Sequence, residues 1–223
     1  MSLVKVVVVI PARFGSTRLP GKPLVSLAGK PMIQRVYERA KMAQRADRVI
    51  VATDDERIVK AVEGFGGEVR MTRTEHRTGT ERIAEVAARE EGDVFVNVQG
   101  DEPLLDPGAI DVAVNALLEE PPASVSTVAT PIKTPGDIMD PNVVKTVLDF
   151  DGNALYFSRA PIPWVRDTAG KIQVRHLKHL GLYVFQREAL LEYERCPRVN
   201  SKELSSSSNC LARALSARWK GTR

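Results

Sequence analysis

Cysteine is scarce in this sequence. Only Cys196 and Cys210 occur, too few for a disulfide framework, and neither stands in metal-ligand spacing with the three histidines. A reduced, cytoplasmic setting is the expectation that follows. Long hydrophobic runs are also missing, since none approaches the ~20 residues a membrane helix requires. The apolar run VKVVVVI at residues 4–10 is short and β-branched. Pro11 and Arg13 follow it, not the small-residue cleavage site of a secretory leader, so it reads as a buried first strand of a soluble chain. Aromatic residues make up only 5% of the sequence, and 32 Lys and Arg are scattered among 28 Asp and Glu. That dispersal argues against a nucleic-acid surface and assigns the net charge of +4 to an anionic small-molecule ligand.

The 223 residues suffice for one large domain, or a domain with an appended lobe. Residues 4–10 suit a strand covered on both faces in a parallel sheet. The segment PMIQRVYERAKMAQR at 31–45 places Met32, Ile33, Val36, Tyr37 and Ala40 at helical spacing. A second strand, DRVIVATDD, leads into a helix ended by glycines, in which Asp54 and Asp55 read as an N-terminal cap. EVRMTR forms a short third strand, TGTERIAEVAAREEG a helix capped by Thr78 or Thr80, and DVFVNVQGDEP a fourth strand. This alternation predicts an α/β, Rossmann-like three-layer sandwich with a mostly parallel sheet. After Pro107 the pattern loosens into strands and hairpins, with Asp151-Gly152 as a turn.

Ligands of such sheets bind outside the carboxyl ends of the strands. The loop PARFGSTRLPGKPL emerges there with Arg13, Arg18 and Lys22, stiffened by three prolines and opened by Gly15 and Gly21. Arginine forks and a lysine point charge beside accessible backbone amides are equipment for a triphosphate. The loop lacks both the Walker pattern and GxGxxG, and a solvated basic loop is the competing reading. Asp101 and Glu102 follow the fourth strand and suit a Mg²⁺ ion shared with substrate phosphates, or a plain acidic turn. The segment TRTEHRTGTER holds Arg73, His76, Arg77 and Arg82 around small hydroxyls, which suits either a helix start or the reading of a base or ribose. Further on, Arg159, His176, His179 and Tyr183 make a weaker candidate for reading a carboxylate and hydroxyls.

With these residues assembled, the chain resembles the 3-deoxy-manno-octulosonate (Kdo) cytidylyltransferases, the CMP-Kdo synthetases of lipopolysaccharide biosynthesis. PARFGSTRLPGKPL, IVATDDERI, MTRTEHRTGTERIAEV, VNVQGDEP, NVVKTVLDFDGNALYFSRAPIPW and HLGLYVF carry the resemblance from about Val4 to about Tyr193. It implies transfer of CMP from CTP to the anomeric hydroxyl of Kdo with release of pyrophosphate, a requirement for Mg²⁺, and a homodimer joined through a β-rich sugar-binding lobe. By position, Ala12, Arg13, Ser16, Arg18, Lys22, Arg73, Thr78 and Gln99 would surround the nucleotide. Gln99, Arg159, His179 and Tyr183 would face the sugar. Asp101 would bind the metal, with Arg13 and Lys22 beside it in the catalytic set. Another 2-keto sugar acid as acceptor, and an inactive nucleotide-binding remnant, are the alternatives.

The expected division is a nucleotidyltransferase domain over 1–195, its second lobe at roughly 124–195, and an anomalous tail over 196–223. Past Cys196 the family motifs stop, and the Leu, Glu and Gln rich helix, the further strand and the second metal-binding Asp that the resemblance implies do not follow. Back-translated and read two bases later, residues 196–210 spell PPSELERTEQLEQL. A shifted reading frame and impaired activity are therefore the expectation for this tail.

Overall fold

The computed structural model describes residues 4–15, 19–118, 123–166, 174–195 and 219–222. Its centre is β1 (Val6–Ala12), whose side chains alternate between two apolar layers. Val7, Val8, Val9 and Ile10 are all fully buried, and each contributes roughly 1.5–3 kcal/mol of hydrophobic stabilisation relative to exposure. β1 pairs in parallel with β4 (Arg48–Thr53) on one side and β6 (Val94–Asn97) on the other, and β4 pairs in parallel with β5 (Glu68–Met71). A two-stranded ribbon, β2 (Ser26–Leu27) and β3 (Lys30–Pro31), follows the first loop.

Helices α1 (Met32–Ala40), α2 (Glu56–Gly64) and α4 (Pro107–Leu118) supply the core of one face, and α3 (Gly79–Arg89) with α6 (Arg187–Arg195) that of the other. The five apolar positions read as the inner face of α1 are the five it buries. α4 departs from the expectation of a loosened pattern. Its buried Ile110, Ala113, Val114 and Leu117 keep the i, i+3, i+4, i+7 helical spacing, and the opening Pro107-Gly108 obscures that signal although proline suits a first helical position. The Asp106 carboxylate accepts the Gly108 amide at 3.0 Å and organises this start.

The sheet then changes direction. β10 (Leu177–Gln186) runs antiparallel to β6 and to β7 (Val125–Pro131); with β11 (Trp219–Thr222) the order is β11-β7-β10-β6-β1-β4-β5. The hairpin of β8 (Lys145–Leu148) and β9 (Ala154–Ser158) branches from the first half of β10, with Asp151-Gly152 in its turn as expected. A short helix, α5 (Pro135–Met139), precedes it. The β-rich second part of the chain thus grows out of the core sheet. At the far edge β11 (Trp219–Thr222) pairs in parallel with β7, so a closing strand is present where the sequence pattern predicts none. The rest of the tail, 196–218 and 223, lies outside the described residues, as does the expectation of a shifted frame.

Candidate active site

Four loops meet at the carboxyl edge of β1, β4, β5 and β6, and side chains tie them together. Gly100 brings the first two close: a Cβ there would lie 2.9 Å from the Pro11 carbonyl oxygen, inside normal contact, so only glycine lets the end of β6 pass the end of β1. α3 starts against the same point, since a Cβ on Gly79 would stand 3.0 Å from the Pro11 ring. Thr78 caps that helix by accepting the Glu81 amide at 3.2 Å. Its N-terminus therefore opens beside the first loop with its positive dipole end toward the edge.

The first loop is fastened on two sides. Arg13 donates to the carbonyl of His76; burial, and then the neighbouring Arg82, pull its pKa below the usual guanidinium range, and it stays protonated at physiological pH. Lys22 reaches Asp101 at 2.5 Å. Ala12 ends β1 in register with Thr53 and is buried, so it can offer a ligand only backbone. Ser16 and Arg18 lie outside the described residues. Arg73 is more than half exposed, with its Nε 3.6 Å from the Glu85 carboxylate.

Gln99 joins this group to β10 by donating to the Gly181 carbonyl at 3.3 Å. There β10 carries an irregularity between His179 and Tyr183. The Thr127 hydroxyl donates to the Leu182 carbonyl at 2.6 Å and stands 2.7 Å from His179 Nε2. With its hydrogen so used, Thr127 accepts from Nε2–H of a neutral imidazole and leaves Nδ1 as the acceptor. Burial lowers the His179 pKa to about 4. The ring sits between Phe157 and Tyr183, with centroids 4.8 and 5.0 Å away. Arg159 stands further off, donating to the Pro141 carbonyl at 2.7 Å within the β8–β9 region. It is held by a residue that sequence reasoning missed: the fully buried Lys145 gives its three donors to the carbonyls of Asp140, Val143 and Arg159. A lone lysine inside the apolar strand NVVKTVL was the available signal.

Two residues of the segment that suits either a helix start or the reading of a base or ribose are tied into the framework. Arg82 is fully buried and pairs with Asp54 at 2.6 Å and with the Thr72 hydroxyl. His76 is buried against Glu85. Asp55 caps α2 as expected, accepting the Arg57 amide at 2.9 Å. His176 approaches the Pro163 carbonyl at 3.0 Å.

Among the described residues no cluster of three or more His, Cys, Asp or Glu could hold a metal ion alone. The donor set at the edge is Asp101, half exposed, beside Glu102, whose pKa burial and then the Asp101 charge raise to about 7. One ionised carboxylate at an open edge fits Mg²⁺, which is commonly held by one or two carboxylates plus substrate phosphates.

The family model for cytidylyltransferases matches residues 7–215. The chain belongs to the cytidylyltransferase family. Among curated cytidylyltransferases it is 52% identical over 193 residues to the 3-deoxy-manno-octulosonate cytidylyltransferase of Solibacter usitatus, covering 86% of this chain and 76% of that one. It is 50% identical over 197 residues to the enzyme of the same name from Geobacter sulfurreducens, covering 85% and 79%. A solved structure of CMP:2-keto-3-deoxy-manno-octonic acid synthetase complexed with CTP superposes with a TM-score of 0.90 at 39% identity, covering 98% of this chain and 89% of that one. The three-layer fold expected of a cytidylyltransferase is therefore the fold found, and the chain is a nucleotidyltransferase.

Proposed function

We infer that this nucleotidyltransferase transfers CMP from CTP to the anomeric hydroxyl of Kdo, giving CMP-Kdo and pyrophosphate for lipopolysaccharide biosynthesis. The observation that carries this reading is the meeting of Lys22 and Asp101 between the loops after β1 and β6, in a chain half identical to proteins named for that reaction. CTP's phosphates enter among Arg13, Lys22 and the open N-terminus of α3, with Ser16 and Arg18 completing the loop. Arg73, Thr78, Gln99 and the Ala12 backbone lie around the nucleotide. The acceptor lies toward Gln99, His179 and Tyr183, where the neutral imidazole offers Nδ1 to a sugar hydroxyl, and Arg159 pairs with the sugar's carboxylate.

The sugar oxygen forms a bond to the α-phosphorus as the bond from that phosphorus to the pyrophosphate oxygen breaks, and the proton of the hydroxyl passes to solvent water. Positioning and charge neutralisation supply most of the rate. Asp101 would hold Mg²⁺, which supplies neutralising charge at the phosphates when bound. Lys22 then has to leave Asp101 for a phosphate oxygen, so their ion pair is a resting arrangement that the substrate replaces. Arg13 keeps its backbone anchor on His76 and presents its remaining donors.

A second lobe over about 124–195 would carry the sugar contacts and a homodimer interface. Fully exposed Phe150 with exposed Leu155, Tyr156 and Trp164 on and after the β8–β9 hairpin supports that assignment, since large apolar side chains left in water favour association. A cytoplasmic setting for the reaction belongs to the same reading and is supported by the scarcity of cysteine. Among the described residues no helix is long and apolar enough to cross a membrane. The test is a panel of 2-keto sugar acids offered with CTP and Mg²⁺, in which Kdo gives the highest kcat/KM. A different acid preferred tenfold or more would replace Kdo as the acceptor.

A further inference from the structure

The loop after β1 is closed on itself at its base. The Gly21 amide donates to the Phe14 carbonyl at 2.8 Å, so the chain leaving β1 is tied to the turn before Lys22. Gly21 takes a left-handed φ of 71°, and a Cβ on it would stand 3.1 Å from the Phe14 ring. The ring is thus packed directly beneath the turn that delivers Lys22. Lys22 in turn reaches Asp101.

The Phe14 ring is itself held from α2. The Arg57 guanidinium carbon lies 3.3 Å from the ring centroid, a stacked cation–π contact. Arg57 is fixed there by Asp55, whose carboxylate accepts its Nε at 2.9 Å and a terminal nitrogen at 2.6 Å. The fork is bidentate and leaves the guanidinium plane little freedom. A continuous series of contacts therefore runs from the cap of α2 through Arg57, Phe14 and Gly21 to Lys22. Neither Phe14 nor Arg57 has a part in the reaction described above.

We propose that the Arg57–Phe14 stack is a positioning clamp that sets the base of the first loop and so holds Lys22 where the nucleotide's β- and γ-phosphates bind. This rests on the reading that the loop holds those phosphates. The side-chain roles divide cleanly. Phe14 fills the space under Gly21 that a smaller residue would leave open, and Arg57 fixes the ring's plane from the solvent side. The cap of α2 is independent of the clamp, because Asp55 accepts the backbone amide of residue 57 whatever its side chain.

Arg57 is mostly exposed, so Arg57→Leu leaves the core intact. The experiment measures KM for CTP and for Kdo, and calorimetric binding of CTP and CMP, in wild type, Arg57→Leu, Arg57→Lys, Phe14→Leu and the Arg57→Leu/Phe14→Leu pair. Loss of one stacked contact should weaken CTP by about fivefold. KM for Kdo and binding of CMP, which lacks the β- and γ-phosphates, should stay within about twofold. Arg57→Lys keeps the cation but neither the planar stack nor the bidentate fork, so it should restore only part of the loss, and the double variant should be no worse than the weaker single one. An altered melting temperature without the split between CTP and CMP would reduce the stack to a stabilising contact and overturn the inference. Unchanged CTP binding in Arg57→Leu would overturn it as well. A wild-type chain that binds no CTP would instead remove the proposed function, and this inference with it.

Discussion

The Lys22 ammonium meets the Asp101 carboxylate at 2.5 Å, joining the loop after β1 to the loop after β6. Both side chains are substantially exposed, so the pair contributes at most about 1 kcal/mol to stability. The proposed reaction gives the pair a chemical role instead. Asp101→Asn and Lys22→Ala should each lower kcat/KM by about a hundredfold or more, with melting temperatures within roughly 3 °C of wild type. Steady-state rates beside a thermal melt check both halves of this expectation, and full activity in Asp101→Asn would remove Asp101 from the catalytic set.

Gly100 tests whether the two loops must approach so closely. Gly100→Ala places a methyl against the Pro11 carbonyl, and either β1 or the end of β6 has to shift. The expected cost is about 1–3 kcal/mol in urea unfolding, with a loss of activity larger than the loss of folded protein explains. A variant with wild-type rates would mean that the spacing of β1 and β6 is not critical.

Much of this arrangement was legible in the sequence. Strong period-3.6 patterns announced α1 and α3, and the β-branched run announced β1, because each element buries a continuous face. Asp55 and Thr78 were recognisable as caps for the same local reason. α4 was hidden by its Pro-Gly opening. Arg82 and His76 stayed open between a structural and a ligand-reading role because a loop rich in Arg and His looks alike whether it faces a ligand or a buried carboxylate. Which of the two it meets depends on tertiary partners, Asp54 and Glu85, that lie elsewhere in the chain. Lys145 escaped notice since a buried cation satisfied wholly by carbonyls leaves no charge partner in the sequence.

Arg82 makes the framework role measurable. Its side chain is fully buried, and Arg82→Met removes the partner of Asp54 and of the Thr72 hydroxyl while keeping much of the volume. Leaving a carboxylate unpaired at a largely buried position should cost about 3 kcal/mol. Chemical denaturation reads this directly. A neutral outcome would mean that water satisfies Asp54.

His179 predicts an acid-sensitive fold. Its pKa of about 4 lies below the ~6.5 of an unfolded histidine. Between those values the unfolded chain binds a proton that the folded chain refuses, so stability is full above about pH 6.5 and declines as pH falls toward 4. The contribution is on the order of 2 kcal/mol, allowing for the part of the ring that water reaches. Urea midpoints measured from pH 4 to 7.5 should fall less steeply in His179→Asn than in wild type. Parallel curves would place the imidazole in open solvent.

The most direct test of the whole account is pyrophosphate release by this chain from CTP and Mg²⁺, with and without Kdo. The account predicts release that requires Kdo and CTP together and disappears on chelation of the metal. A folded chain that binds CTP yet releases no pyrophosphate with Kdo would contradict it.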